Sequence, residues 1–217
     1  VIPEYSISTT GIQVITTSFS DPFGSFPTIP VINGYAYGYS VKLGSTATSW
    51  DLHADRNSPG GFTRSITYKI DVPAGPATVP YTMTYAYAMV LENGTHNSDQ
   101  QPLFKATLST PDGVISCASP EYYLPTFNDA GNNGGGFGTG ATLDTATAKA
   151  NGFSLSPVPF LSHSGRQNQD PNSDNGTLLQ DVWTKGWTEV TFDLSPYRGK
   201  QVTLTFEADN CVPGAHF

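Results

Sequence analysis

The chain has 217 residues, a net charge of −8, only 13% charged residues, and 22 + 17 = 39 glycines and prolines. Ordinary soluble domains carry about 25% charge, so this surface is built largely from uncharged polar groups. The acidic balance argues against nucleic acid and anionic membrane as partners, because both need clustered Lys and Arg. The length suits one large all-β domain, and no stretch is apolar over the roughly 20 residues that a membrane-spanning helix needs.

In chain order, residues 1–19 alternate weakly and read as one or two strands broken at Gly11. Residues 22–30 are a loop of Pro, Gly and aromatics. Tyr35, Tyr37, Tyr39, Val41 and Leu43 then fall at alternate positions and predict a strand over 35–43, with Gly34 and Gly38 as points of loosening or bulging. Residues 44–60 form a loop. Ile66, Tyr68, Ile70 and Val72 mark a clear strand, followed by a connection over 73–80. The longest strand carries Tyr81, Met83, Tyr85, Tyr87, Met89 and Leu91 on one face and Thr82, Thr84, Ala86, Ala88 and Val90 on the other. That small second face predicts cover by a neighbouring layer.

Residues 103–108 continue as a strand, Pro111-Asp112-Gly113 is a turn signal, and residues 114–118 form the strand carrying Cys117. From 125 to 140 the pattern fails. Asn132-Asn133-Gly134-Gly135-Gly136 cannot pack a core and carries the largest entropy cost of ordering. Residues 143–150 alone have helical character, and 162–177 form a second polar loop. Long structureless loops in a compact domain are usually functional or disordered. The last stretch, 187–211, places Val190, Phe192 and Leu194, then Val202, Leu204, Phe206 and Ala208, on alternating positions around a Ser195-Pro196-Tyr197-Arg198-Gly199 turn. It reads as an antiparallel pair on one wall of a β-sandwich.

Three stretches are also familiar. Asp193-Leu194-Ser195 with Tyr197 and Gly199, followed by an alternating strand, resembles the late strands of galactose-binding-like and MAM-like jelly-roll modules. Residues 85–92 (YAYAMVLE) with His96 and Gln101-Pro102-Leu103-Phe104, and Ala208-Asp209-Asn210-Cys211 with Gly214 and His216-Phe217, narrow the likeness. Together they resemble a jelly-roll repeat of the giant secreted adhesins of gliding, Bacteroidota-type bacteria. The likeness spans residues 35–217. It departs at Gln100, where glutamate is expected, and at Phe217, after which one more strand is expected.

The resemblance implies an all-β fold, a jelly-roll β-sandwich of antiparallel strands with long loops. Residues 1–217 form one domain, with 1–34 supplying N-terminal strands and a loop that pack on it. The implied function is non-catalytic. It is a secreted or cell-surface adhesin module, flanked by neighbouring domains of a larger chain, that binds a glycan or surface or acts as a spacer. One alternative is a carbohydrate-binding module of a secreted polysaccharide-degrading enzyme; another is an undetected hydrolase. Against catalysis, the chain has no Gly-x-Ser-x-Gly, His-Glu-x-x-His, phosphate-loop or dinucleotide motif, and His53, His96, His163 and His216 stand in no catalytic context.

Modules of this kind often hold one structural calcium, and the resemblance would bring Asp21, Asp209 and Asn210 together as its ligands. The alternative is that Asp21 caps a turn beside Pro22 and Asp209 accepts backbone hydrogen bonds. The segment from Asp170 to Asp174 is a second cation candidate or a solvated loop. Ligand contacts are expected from Asn132, Asn133, Asp170 and Asp174 in the two polar loops. They are also expected from the aromatics Trp50, Trp183 and Tyr123 beside loops, whereas Trp187 reads as core. His96 and Gln101 either face a ligand or fix their loop through hydrogen bonds. Asp144-Thr145-Ala146 resembles the short O-glycosylation acceptor of these bacteria, making Thr145 a modification candidate. Asn93 and Asn175 begin N-glycosylation sequons. In an oxidising compartment Cys117 and Cys211 pair and close a loop of 211 − 117 = 94 residues, worth roughly 4–5 kcal/mol on a chain-entropy argument; otherwise they are two buried thiols.

Overall fold

The computed structural model describes residues 11–44, 63–93, 98, 101–115, 121–127, 142–158 and 182–209. These residues form β1 (Ile12–Ile15), β2 (Val31–Ile32), β3 (Tyr35–Ala36), β4 (Ser40–Leu43), β5 (Thr63–Asp71), β6 (Thr82–Glu92), β7 (Leu103–Thr110), β8 (Gly113–Val114), β9 (Glu121–Tyr123), α1 (Thr145–Ala150), β10 (Ser154–Leu155), β11 (Val182–Asp193) and β12 (Gln201–Asp209). All strand pairs are antiparallel. One sheet has the order β10-β11-β6. The other has the order β5-β12-β7-β8, with β9 also on β7. The ribbons β1-β4 and β2-β3 are separate.

Period-two alternation decides which faces meet. From β6, Tyr85, Tyr87, Met89 and Leu91 are buried; from the other sheet, Ala106, Leu108, Val202 and Leu204 are buried. Aromatic contacts cross between the sheets: Tyr85 meets Phe206 edge to face at 4.9 Å, and Tyr87 stacks on Phe104 at 5.4 Å and Tyr122 at 4.7 Å. The molecule is therefore an all-β sandwich with its core between the two sheets.

The closing strands correct the expectation of a pair on one wall. β11 pairs with β6, while β12 pairs with β5 and β7 in the opposite sheet. Residues 194–200 arch between sheets instead of closing a hairpin. Alternation could not distinguish the two, because an arch and a hairpin bury the same positions. The arch docks on the other crossing segment, residues 72–81. Val72 N–H donates to Lys200 O at 3.0 Å, Gly199 N–H to Val72 O at 3.0 Å, and Leu194 N–H to Tyr81 O at 2.7 Å.

The Asp-Leu-Ser-x-Tyr-x-Gly stretch is the lock of this junction. The Ser195 N–H donates to Asp193 Oδ1 at 2.8 Å, its hydroxyl donates to the same oxygen, and its Oγ accepts from Tyr81 N–H at 2.7 Å. These bonds, the Ser195 hydroxyl foremost, hold the Asp193 carboxyl below its usual pKa. Arg198 lies over the Tyr81 ring at 4.8 Å and donates to Val79 O at 3.1 Å. Gly199 has φ +74°, which permits the turn back into β12.

The strand expected over 35–43 is broken into β3 and β4, and Tyr35 and Tyr39 are exposed instead of joining the core. The break lies at residues 37–39, where Tyr37 N–H turns to Pro30 O at 3.1 Å. Residues 18–40 reach the three-stranded sheet on its outer face. Trp187 Nε1 donates to Pro27 O at 2.6 Å, and Ser156 Oγ to Phe23 O at 2.8 Å.

Tyr85 supplies the first prediction. Its hydroxyl is buried and has no hydrogen-bond partner, a state that costs about 1–3 kcal/mol. Tyr85→Phe is expected to raise stability by about 1 kcal/mol, read as a higher urea midpoint at constant m. Burial also pushes this phenol well above its usual pKa. A raised folded-state pKa stabilises below the unfolded value of about 10 and loses that contribution as pH rises beyond it. The variant should therefore also resist alkaline unfolding better; a lower midpoint at neutral pH would refute this account.

Candidate functional site

The outer face of the three-stranded sheet is shaped by one extra residue. In the β11–β6 register, Lys185 faces Met89 but Thr188 faces Tyr87, so Gly186 and Trp187 together oppose Ala88. This is a β-bulge. Before it, Trp183 and Lys185 point into the sandwich; after it, Val190 and Phe192 do. The bulge turns Trp187 and Glu189 outward. Trp187, expected in the core, instead packs edge-on against Phe26 at 6.2 Å.

Above Glu189 sits the β2–β3 hairpin. Asn33 and Gly34 have φ +50° and +80°, the two positive values of a tight two-residue turn for which Asn-Gly is the preferred pair. Ile32 pairs with Tyr35 across that turn, which holds Asn33 beside Tyr35. Asn33 Nδ2 donates to Glu189 Oε2 at 3.1 Å, and the Tyr37 hydroxyl donates to Oε1 at 2.9 Å. Burial, then this bond to Glu189, pushes the Tyr37 phenol up to about 12. Tyr35 meets Tyr37 edge to face at 4.9 Å and stays 64% exposed. The result is an open aromatic ring beside an oriented carboxylate and amide. Asn33-Gly34 between Val31-Ile32 and Tyr35-Ala36 was the signal for it in the sequence.

A second unforeseen feature is Lys185. Its Nζ lies 4.9 Å from the Tyr122 ring centre, 5.5 Å from Tyr87 and 5.9 Å from Phe153. Burial lowers its pKa, while the ring faces favour the charge. The lysine closes one end of the aromatic core.

The predicted site residues separate. Trp183 is buried at 6% exposure within the core, so it offers no ring to a ligand; its position before the bulge points it inward. Asp21 caps its own turn, its Oδ1 accepting from Phe23 N–H at 2.9 Å and Gly24 N–H at 2.7 Å. Asp209 ends β12, with one carboxylate oxygen buried and unpaired. A calcium shell needs six to eight oxygens, and no three of His, Cys, Asp and Glu gather among the described residues. The described part of the donor set therefore does not by itself make a calcium site. Gln101 is buried and donates to Asn93 Oδ1 at 2.9 Å.

Thr145 is exposed at the start of α1. The adjoining Asp144 carboxylate accepts from Thr147, from its hydroxyl at 2.6 Å and its N–H at 3.0 Å, which lowers the Asp144 pKa. Tyr123 is at the margin of exposure. Trp50, Asn132, Asn133, Asp170, Asp174, Asn175, Cys117, Asn210, Cys211 and the four histidines lie outside the described residues.

The residues that flank the two stretches expected as polar loops are described. Thr126 bridges Leu143, with Phe127 N–H on Thr142 O at 2.9 Å, and Ser156 N–H donates to Val182 O at 2.8 Å. Ser98 lies 3.2 Å from the Thr126 hydroxyl. In register, Val182 faces Glu92, and Leu103 faces both Tyr123 and Asp209. Both loop bases thus leave the sandwich at the end opposite the 72–81 and 194–200 arches.

The chain matches no protein-family model, no curated protein and no solved structure.

Proposed function

We propose that this chain is a non-catalytic module of a secreted or cell-surface adhesin, binding a glycan or surface through loops gathered at one end of a jelly-roll sandwich. The observation that carries the reading is the common exit of the 126–142 and 156–182 segments at the end opposite the arches. A rigid sandwich that presents long polar loops on one rim is a common way to build a recognition surface. The jelly-roll reading draws support from the nesting of the strands. Among the described residues the first long strand, β5, lies beside the last, β12, and the second, β6, lies beside β11 in the other sheet.

Loops rich in Gly lose entropy on ordering, so a single site binds weakly, and neighbouring domains of a larger chain would restore strength by avidity. A structural calcium enters this reading through the unpaired oxygen of Asp209. The exposed Tyr35 ring favours a second reading, a carbohydrate-binding module of a secreted polysaccharide-degrading enzyme; a hydrolase domain in the flanking sequence would decide for it.

The test replaces residues 126–140 and 162–177 by short Gly-Ser linkers, singly and together. The double variant is expected to keep its thermal midpoint within a few degrees and to lose surface adhesion or glycan-array binding about tenfold or more. Full binding by a folded double variant would overturn the loop assignment.

A further inference from the structure

We infer that Asn33, Tyr35, Tyr37 and Glu189 form a sugar-binding site on the side of the sandwich, separate from the loop end, which takes one neutral pyranose unit. The inference rests on the proposed glycan-binding function and adds a place and a ligand class. Tyr35 is 64% exposed although a two-residue turn and the Tyr37 ring fix its position. A tyrosine ring held in advance offers apolar area at little entropy cost, and the C–H face of a pyranose matches it.

The polar half of the site is equally pre-set. A carboxylate has about four acceptor positions. Asn33 and Tyr37 occupy one on each oxygen of Glu189, which orients the group and leaves further positions for sugar hydroxyl donors. The Asn33 Oδ1 adds an acceptor beside them. Both groups bonded to Glu189 are uncharged, no ion pair to it forms among the described residues, and the chain carries a net charge of −8. An acidic sugar would be repelled, so the fitting ligand is neutral. A peptide partner matched to Glu189 would have to bring a cation, whereas a pyranose brings its apolar face and hydroxyl donors within one ring.

Saturation-transfer NMR with the methyl pyranosides of glucose, galactose, mannose and N-acetylglucosamine at about 10 mM tests the site at the affinity expected of one sugar. The expected result is transfer to sugar C–H protons in the wild type and in the double loop-replacement variant. Tyr35→Ala should bind about tenfold more weakly and Glu189→Gln severalfold more weakly, at unchanged thermal midpoints. Absence of transfer in the wild type, or transfer that survives Tyr35→Ala, overturns the site. A glycan array separates this from the wider proposal. Array binding that vanishes on loop replacement and ignores Tyr35→Ala removes this site and leaves the loop-end function. An array silent for every variant removes the loop-end function, and this site then stands or falls by the saturation-transfer result alone.

Discussion

Leu204→Ala is expected to destabilise the domain by about 3–5 kcal/mol, the range for truncating a buried leucine where the surroundings cannot collapse. Leu204 is fully buried. It lies in β12 between Tyr68 of β5 and Leu108 of β7, so neighbours on both sides are held by their own ladders and cannot close the cavity. Against a total stability of about 5–15 kcal/mol, the variant remains folded only narrowly. A fall in melting temperature of roughly 10 °C is expected for a chain of this size, with a lower urea midpoint at unchanged m. Thr205→Ala, one position along, is the control. Thr205 is half-buried and pairs its hydroxyl with Thr67 at 3.2 Å, so its loss should cost about 1 kcal/mol. Equal effects from the two would mean that the inter-sheet space is not packed as described.

Deleting Thr191 is expected to do more than any single substitution. Thr191 lies between Val190, opposite Tyr85, and Phe192, opposite Met83, and the side-chain period of a strand is two. Removing it leaves two outcomes. In one, Phe192 turns outward and Asp193 turns in. In the other, the bulge is used up, Val190 turns outward and Glu189 turns in. An unpaired buried carboxylate costs several kcal/mol, and the displaced apolar side chain adds to that loss. Either sum approaches the whole stability of a domain. The variant should show no cooperative melt and should bind a hydrophobic dye. Deleting Gly186 is the control. It removes the extra residue of the bulge, sets Trp187 opposite Ala88 between the pairs Lys185–Met89 and Thr188–Tyr87, and keeps every inward side chain inward; the variant should still melt cooperatively. A Thr191 deletion that melts within a few degrees of wild type would show that the register does not set the faces of β11.

Much of the architecture was legible because alternation is a local signal. The apolar positions of residues 66–72, 81–91 and 202–208 marked strands and their inward faces. The cover expected for the Thr/Ala face of β6 is incomplete: Thr82 and Thr84 are exposed and Ala86, Ala88 and Val90 half-buried, because residues 23–37 make their contacts to Trp187 and Glu189 of β11 and to Ser156. Asp21 caps its own turn and Gln101 donates to Asn93, both through short-range bonds. Each of these depends on neighbours within a few positions along the chain.

What stayed hidden depends on partners far away. Alternation in β11 and β12 could not say that they stand in opposite sheets, because burial is the same for a hairpin and an arch; the hydrogen bonds between residues 72–81 and 194–200 decide it. A one-residue bulge reversed the expected positions of Trp183 and Trp187, and only the register against β6 reveals it. Tyr35, Tyr37 and Tyr39 alternate like core residues, yet the segment leaves the strand path at 37–39, and Glu189, about 150 residues away in sequence, fixes Tyr37 and Asn33. By itself the sequence determined an all-β chain and the inward faces of its long strands, because those follow from the geometry of a single strand. Sheet membership, the bulge and the side-face cluster were decided by the tertiary structure, because each rests on hydrogen bonds between distant segments.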